Sequence, residues 1–226
     1  MDLITVDFET YYDKDFSLSK ITTEEYIRDP RFQVIGVGVK VNNGTTEWAS
    51  GTKAQIRDFL HSFNWEEAMF LAHNTMFDAA IANWVFGINP RVLADTLCIA
   101  RAVDGVEVGG SLGVLAERYS LGTKGTEVLD ALGKRRLDFT PEELSRYGDY
   151  CINDVNLTYD LFKVLAPNFP REELKLIDLS LRMFVEPTLD LDLGLLEQHL
   201  IETRDHKDKL LEKAGADKKD LMSNVK

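Results

Sequence analysis

The sequence predicts an α/β fold: a mixed five-stranded sheet flanked by helices, followed by a C-terminal helical extension. Three observations carry this. Short β-branched apolar runs joined by hairpin residues come first, strand–helix alternation follows, and beyond Pro167 the apolar spacing is helical only. The 226 residues, 44% hydrophobic and 10% aromatic, hold enough apolar material for one substantial domain and an appended piece.

Leu3 to Phe8 is an apolar, β-branched run that reads as a buried strand. Thr22 and Glu25 have capping-box spacing for a short helix that stops before Pro30. Phe32 to Val41 is a strand whose Gly36 and Gly38 invite a close neighbour, and Asn42, Asn43 and Gly44 turn it into a returning strand in TTEWAS. Thr52 to Phe63 reads as helix, Phe70 to Ala72 as strand, and Phe77 to Phe86 as helix. RVLADTLCIA, from Arg91 to Ala100, carries a fifth strand-like stretch, and Ser111 caps a helix to about Tyr119. Thr140, Pro141 and Glu143 start a long helix running through Asp154 to about Leu165. Pro167 and Pro170 mark an expected boundary, dividing 1–167 from 168–226; beyond it Glu172–Val185 and Gly194–Ala214 have helical spacing.

The net charge of −12 excludes a broad basic surface that coats nucleic acid by counterion release, but not a local cleft. Metal-binding carboxylates count as negative in such a sum although a bound ion inverts the local field. Cys98 and Cys151 sit in apolar or helical stretches and read as reduced packing residues, in keeping with a cytoplasmic protein. The first residues lack a basic segment, so no secretory signal is expected, and no apolar run approaches spanning length.

Four acids and a tyrosine stand out. Asp7 and Glu9, two apart in a strand, share a face. A frayed, solvated strand end explains such a pair equally well. Asp78 falls in the first turn of a helix, where the helix dipole alone is reason enough for an acid. Tyr150 and Asp154 lie four apart on one helix face, and with Tyr147 a turn earlier an ordinary polar stripe stays open. What is uncommon is the set together: strand pair, helix start, mid-helix pair. Four carboxylates aimed at one point repel and resist ionisation, and divalent ions relieve that repulsion. Phosphodiester hydrolysis is the chemistry that most often uses a pair of such ions.

DFET, HNTMFD and YCINDV resemble the three motifs of the DEDD-group 3′–5′ exonucleases. Tyr150 places the chain in the tyrosine-bearing subclass, since Asp149 stands where the other subclass has histidine. Over roughly residues 1 to 165 the resemblance implies a ribonuclease H-like fold. It also implies Asp7, Glu9, Asp78 and Asp154 as ligands of two divalent ions, Mg²⁺ or Mn²⁺, and Tyr150 as the residue that orients water. ETYYDKDFSLSK, TTEEYIRDPRF and NDVNLTYDLF are further similar to the proofreading domain of bacteriophage-type family A DNA polymerases. There, a stretch like DLMSNVK leads into the polymerase domain. Polymerase catalytic motifs are lacking, so a fragment of a longer protein is expected, its polymerase part a partner in cis.

The implied activity is removal of nucleotides from the 3′ end of single-stranded DNA by a monomeric protein in a bacterial or phage-infected cell. The four histidines show no zinc spacing, and hard oxygen ligands favour Mg²⁺ or Mn²⁺. His73, beside Asn74, reads as structural first and as a substrate contact second. Phe8, Thr10, Asn74 and Phe77 are candidates to hold a terminal nucleotide by stacking and polar contact. Lys134, Arg135 and Arg136 form the densest basic cluster and are candidate phosphate contacts, with Lys124 in the same loop hypothesis; a solvated loop is the plainer explanation. Two other functions remain open at this level: an exoribonuclease using the same acids, and a non-catalytic domain that binds nucleic acid or a replication partner.

Overall fold

The computed structural model describes residues 1–125 and 131–215, together with Lys219. Five strands form one mixed sheet: β1 (Asp2–Thr10), β2 (Val34–Val41), β3 (Thr46–Ala49), β4 (Ala68–Ala72) and β5 (Val92–Asp95), in the order β3-β2-β1-β4-β5. The first three pair antiparallel, and between β2 and β3 the Asn42–Gly44 turn reverses the chain directly, with Asn42 at a φ of 51°. The β1–β4 and β4–β5 pairs are parallel, so each needs a crossover. The apolar run in β1 is explained by its central place in the sheet, with Ile4, Val6 and Phe8 all buried.

Helices α1 (Thr23–Arg28) and α5 (Leu112–Arg118) begin at the expected caps Thr22 and Ser111, and Thr52, read as helical, caps α2 (Lys53–Leu60). The long helix α6 (Pro141–Leu165) starts at a Thr140–Glu143 capping box and buries Tyr147, Tyr150, Cys151, Asp154 and Val155 along one face. That face lies on β1 and β2, and glycine makes the approach possible. A Cβ on Gly38 would stand 2.9 Å from both Cys151 Sγ and Val155 Cγ2, and one on Gly36 would clash with the Trp48 ring of β3.

One carboxylate sets the bounds of two elements. The Arg91–Ala100 stretch carries the expected fifth strand as far as Asp95. From Thr96 it is helix α4 (Thr96–Asp104), because the Asp95 side chain accepts the Leu97 amide and caps it. Asp95 also accepts the amides of Asn74 and Thr75, each at 3.1 Å, so helix α3 (Thr75–Ala80) starts earlier than Phe77; Ile81–Val85 then continues as a wider π-helical turn.

One compact unit spans Met1–Pro187, and a second spans Thr188–Lys226. The boundary expected after Pro167 therefore falls inside the first unit, where α7 (Arg171–Val185) is bonded to the sheet end. Asp178 accepts the Leu93 amide at 2.7 Å, and Arg182 donates to the Pro90 and Arg91 carbonyls. The second unit contains α8 (Leu193–Ala214), capped by Asp192 and ended by Gly215 in the left-handed region. The DLMSNVK stretch lies outside the described residues. Among the described residues no helix is long and apolar enough to cross a membrane.

Candidate active site

Strand periodicity puts Asp7 and Glu9 on the face of β1 that meets α6, opposite Gly38 and Gly36 of β2. Ligand atoms of Asp7, Glu9 and Cys151 all lie within 4.8 Å of one another. The Cys151 thiol donates to the Asp7 carboxylate at 3.4 Å. Asp78, buried in the first turn of α3, reaches β1 by accepting the Phe8 amide at 2.9 Å. Asp154 and Tyr150 come from consecutive turns of α6, and the Tyr150 hydroxyl faces Asp154. Lys124 closes the set from the loop after α5, with Nζ 2.6 Å from Asp154 Oδ2. The acids predicted from three separate segments thus come together, with Glu9, Asp78 and Asp154 buried and Asp7 half-buried.

Their charges are strained by that convergence. Burial, then the charge of Asp154, pushes the Asp7 carboxyl up to about 6, against the pull of Lys124 and Cys151. Burial and then Asp7 hold Glu9 and Asp78 well above the ordinary carboxylate range. Asp154 is raised by burial even with the Lys124 ammonium beside it. The phenols of Tyr150 and Tyr147 are pushed far up by burial, then by Asp154 and Glu9 respectively, so both stay neutral hydrogen-bond donors.

The donor set fits divalent cations of the hard kind. Asp7, Glu9, Asp78 and Asp154 offer carboxylate oxygens, and Asp154 Oδ1 is buried without a hydrogen-bond partner among the described residues. In the metal-free protein burial first and Asp7 second push the Cys151 thiol well above the usual range, so it stays protonated and donates to Asp7. His73 is also structural, its ring nitrogens engaged by the Thr96 hydroxyl and the Gly110 carbonyl, each at 2.8 Å.

The substrate candidates divide. A groove of about 350 Å³ beside Glu9 is bordered by Phe8, Thr10 and Phe77, together with Tyr12, Leu18 and Tyr147. The Phe8 ring itself is buried and stacked on Phe86, 5.9 Å between centroids, so Phe8 supports the groove rather than offering a stacking face. Asn74 lies elsewhere: it takes a left-handed conformation at the start of α3 and lines a different cavity with Asp95 and Arg101. The basic cluster does not join the carboxylates. Lys134 pairs with Glu143 in the first turn of α6, while Arg135 stacks on Tyr11 and borders a third cavity with Arg136. Lys124 alone of the four basic candidates reaches the site. Tyr147, which faces Glu9, passed in sequence for part of a polar stripe; its period-three offset from Tyr150 was the available signal.

This fold and this carboxylate set define a class: a ribonuclease H-like domain of the DEDD exonuclease type. Residues 23–169 match the 3′–5′ exonuclease family, and the chain belongs to it. The match begins after β1, so Asp7 and Glu9 enter the site on geometry. No curated protein matches the chain in sequence. Among solved structures the chain is similar to Brucella melitensis NrnC with bound Mg²⁺, at 14% identity, a TM-score of 0.57 and 81% coverage of each chain. It is similar to Trypanosoma brucei RNase D in complex with RNA U12, at 14% identity and a TM-score of 0.62, covering 84% of this chain and 66% of that one. It is also similar to the family B DNA polymerase of Pyrobaculum calidifontis, at 18% identity and a TM-score of 0.56, with 82% of this chain spanning 27% of that polymerase.

Proposed function

We propose that the chain removes nucleotides from the 3′ end of single-stranded DNA, as the proofreading part of a family A DNA polymerase. The supporting observation is the convergence of Asp7, Glu9, Asp78 and Asp154, with Tyr150, on one point. These four carboxylates would hold two divalent ions, Mg²⁺ or Mn²⁺, which supply an activated water and charge neutralisation at the phosphate when bound.

The protein's own groups do the rest. Tyr150, kept neutral, would donate toward the attacking water, and Glu9, once ionised beside the ions, would accept from it. Thr10, Phe77 and Leu18 border the space beside Glu9 where a terminal nucleotide is held by stacking and wedging, without base-specific readout. The proposal places the polymerase part in cis and a monomeric protein in the cytoplasm.

The test is digestion of a single strand labelled at its 5′ or 3′ end, with Mg²⁺ and with EDTA. A ladder shortening from the 3′ end in Mg²⁺ alone is expected; shortening from the 5′ end overturns the reading. A second reading, exoribonuclease action with the same carboxylates, is supported by the likeness to NrnC and RNase D. A matched RNA strand degraded much faster than the DNA strand replaces the first reading with the second.

A further inference from the structure

We propose that Lys124 is a positioning residue for Asp154: its ammonium holds Oδ2, so that Oδ1 is the atom turned over to a metal ion. This rests on the metal-dependent function proposed above. The two oxygens of Asp154 have different surroundings. Oδ2 accepts from Lys124 Nζ at 2.6 Å, within a carboxylate side chain only 5% exposed. Oδ1 is buried and meets no hydrogen-bond geometry among the described residues, while the Tyr150 hydroxyl faces the same carboxylate. A carboxylate facing other acids is pushed to rotate away or to take up a proton, and a charge-assisted hydrogen bond to one oxygen opposes both. Carboxylates that bind metals are themselves commonly held by such an outer contact, whose loss weakens metal affinity.

Lys124 is placed for this by its loop. Asn153, next to Asp154, donates to the Thr123 carbonyl, next to Lys124, at 3.1 Å. The Leu121 amide returns to the Ala116 carbonyl at 2.8 Å, and Gly122, at a φ of 139°, lets the loop pass close to Leu157 of α6. The ammonium also lies 5.3 Å from the centre of the Tyr150 ring, so one cation touches both the carboxylate and the tyrosine that α6 contributes.

The test is Mn²⁺ uptake by the full chain, followed by the electron paramagnetic resonance of free Mn²⁺, with circular dichroism melting as the control for folding. Lys124→Met is expected to weaken Mn²⁺ binding by about 10- to 100-fold, and Lys124→Arg to recover most of the loss. On an Asp154→Asn background, Lys124→Met is expected to change nothing further. Unchanged affinity in Lys124→Met overturns the proposal, and so does tighter binding, which would make Lys124 a competitor of the ion. An additive loss on the Asp154→Asn background overturns it too. Should Lys124→Met not fold, Lys124→Gln, which keeps a donor but no charge, carries the same comparison. Wild-type protein that takes up no Mn²⁺ overturns the proposed function along with this proposal; wild-type uptake with an unaffected Lys124→Met overturns this proposal alone.

Discussion

The Asp78 carboxylate accepts the backbone amide of Phe8 at 2.9 Å, joining the strand that carries Asp7 and Glu9 to the helix that carries Asp78. The bond has a structural cause. β4 pairs with β1 only from Asp2 to Thr5, so beyond Thr5 that edge of β1 has no strand beside it. A buried amide there needs an acceptor, and Asp78 is the one the fold supplies. The same carboxylate is raised by burial and by Asp7, so its charge is costly while its oxygen is required.

These two demands separate in mutants. Asp78→Asn keeps an acceptor and removes the charge, and in EDTA it is expected to unfold at the same or higher denaturant concentration than wild type. Asp78→Ala orphans the Phe8 amide and is expected to lose about 1–3 kcal/mol. Both are expected to lose exonuclease activity. Equal stability of the two variants in urea melts would show that the Phe8 bond contributes nothing.

The raised acids set a pH dependence of the metal-free protein. Asp7 has a folded pKa of about 6 against an ordinary value of 3.8. Between those values the folded state binds more protons than the unfolded one, so stability falls as pH rises through the window and stays reduced above it. His73 has the opposite slope: burial lowers its pKa, so the unfolded state takes the extra proton below about 6.5. The difference between wild type and Asp7→Asn isolates the acid. In EDTA, Asp7→Asn is expected to melt higher than wild type at pH 7.5, by on the order of 5 °C, with the gap closing toward pH 4. Mg²⁺ is expected to raise the wild-type melting temperature and not that of the variant. A pH-independent gap would contradict the assignment.

Gly38 permits the approach of α6, and the site depends on that approach. A methyl group at Gly38 meets Cys151 Sγ and Val155 Cγ2 at 2.9 Å, the residues that directly follow Tyr150 and Asp154. Gly38→Ala is expected to cost about 1–3 kcal/mol by overpacking. It should also reduce activity, because moving α6 off β2 to relieve the clash also moves it away from Asp7. Adding Cys151→Ala removes one of the two clashes and is expected to recover part of both losses; no recovery would mean that the damage lies in β2 itself.

Much of this was legible in sequence because local rules and tertiary demands agree. Thr140–Glu143 and Thr22–Glu25 cap helices where their spacing says, and Asp7 with Glu9 can only share a face. Asp95 was illegible for the opposite reason: it ends a strand, caps α4 and anchors α3 across 20 residues, and only the last role is non-local. Charge density did not show where Lys134, Arg135 and Arg136 go. Long basic side chains go to the nearest acid or ring, and here those are Glu143 and Tyr11. Lys124 carried no periodic signal, since the path of its loop is set by Asn153 and Leu157 on another element.

Tyr147 and Tyr150 stack at 6.2 Å between ring centres, one facing Glu9 and the other Asp154. Both phenols are driven up by burial and by the acid each one faces, so neither loses its proton in the range where the enzyme is assayed. Tyr150 then serves by aiming a hydrogen bond, not by titrating. Tyr150→Phe is expected to lower kcat by on the order of 10²-fold, as for loss of one aimed donor, while leaving the shape of the pH–rate profile between pH 6 and 9 unchanged. Tyr147→Phe differs, because its hydroxyl lowers the pKa of Glu9. Without it Glu9 rises further, so the acidic limb of the profile is expected to move to higher pH with little change at the plateau. A Tyr150→Phe profile that loses its alkaline limb would instead make Tyr150 a titrating base, and a Tyr147→Phe profile that does not move would separate Tyr147 from the reaction.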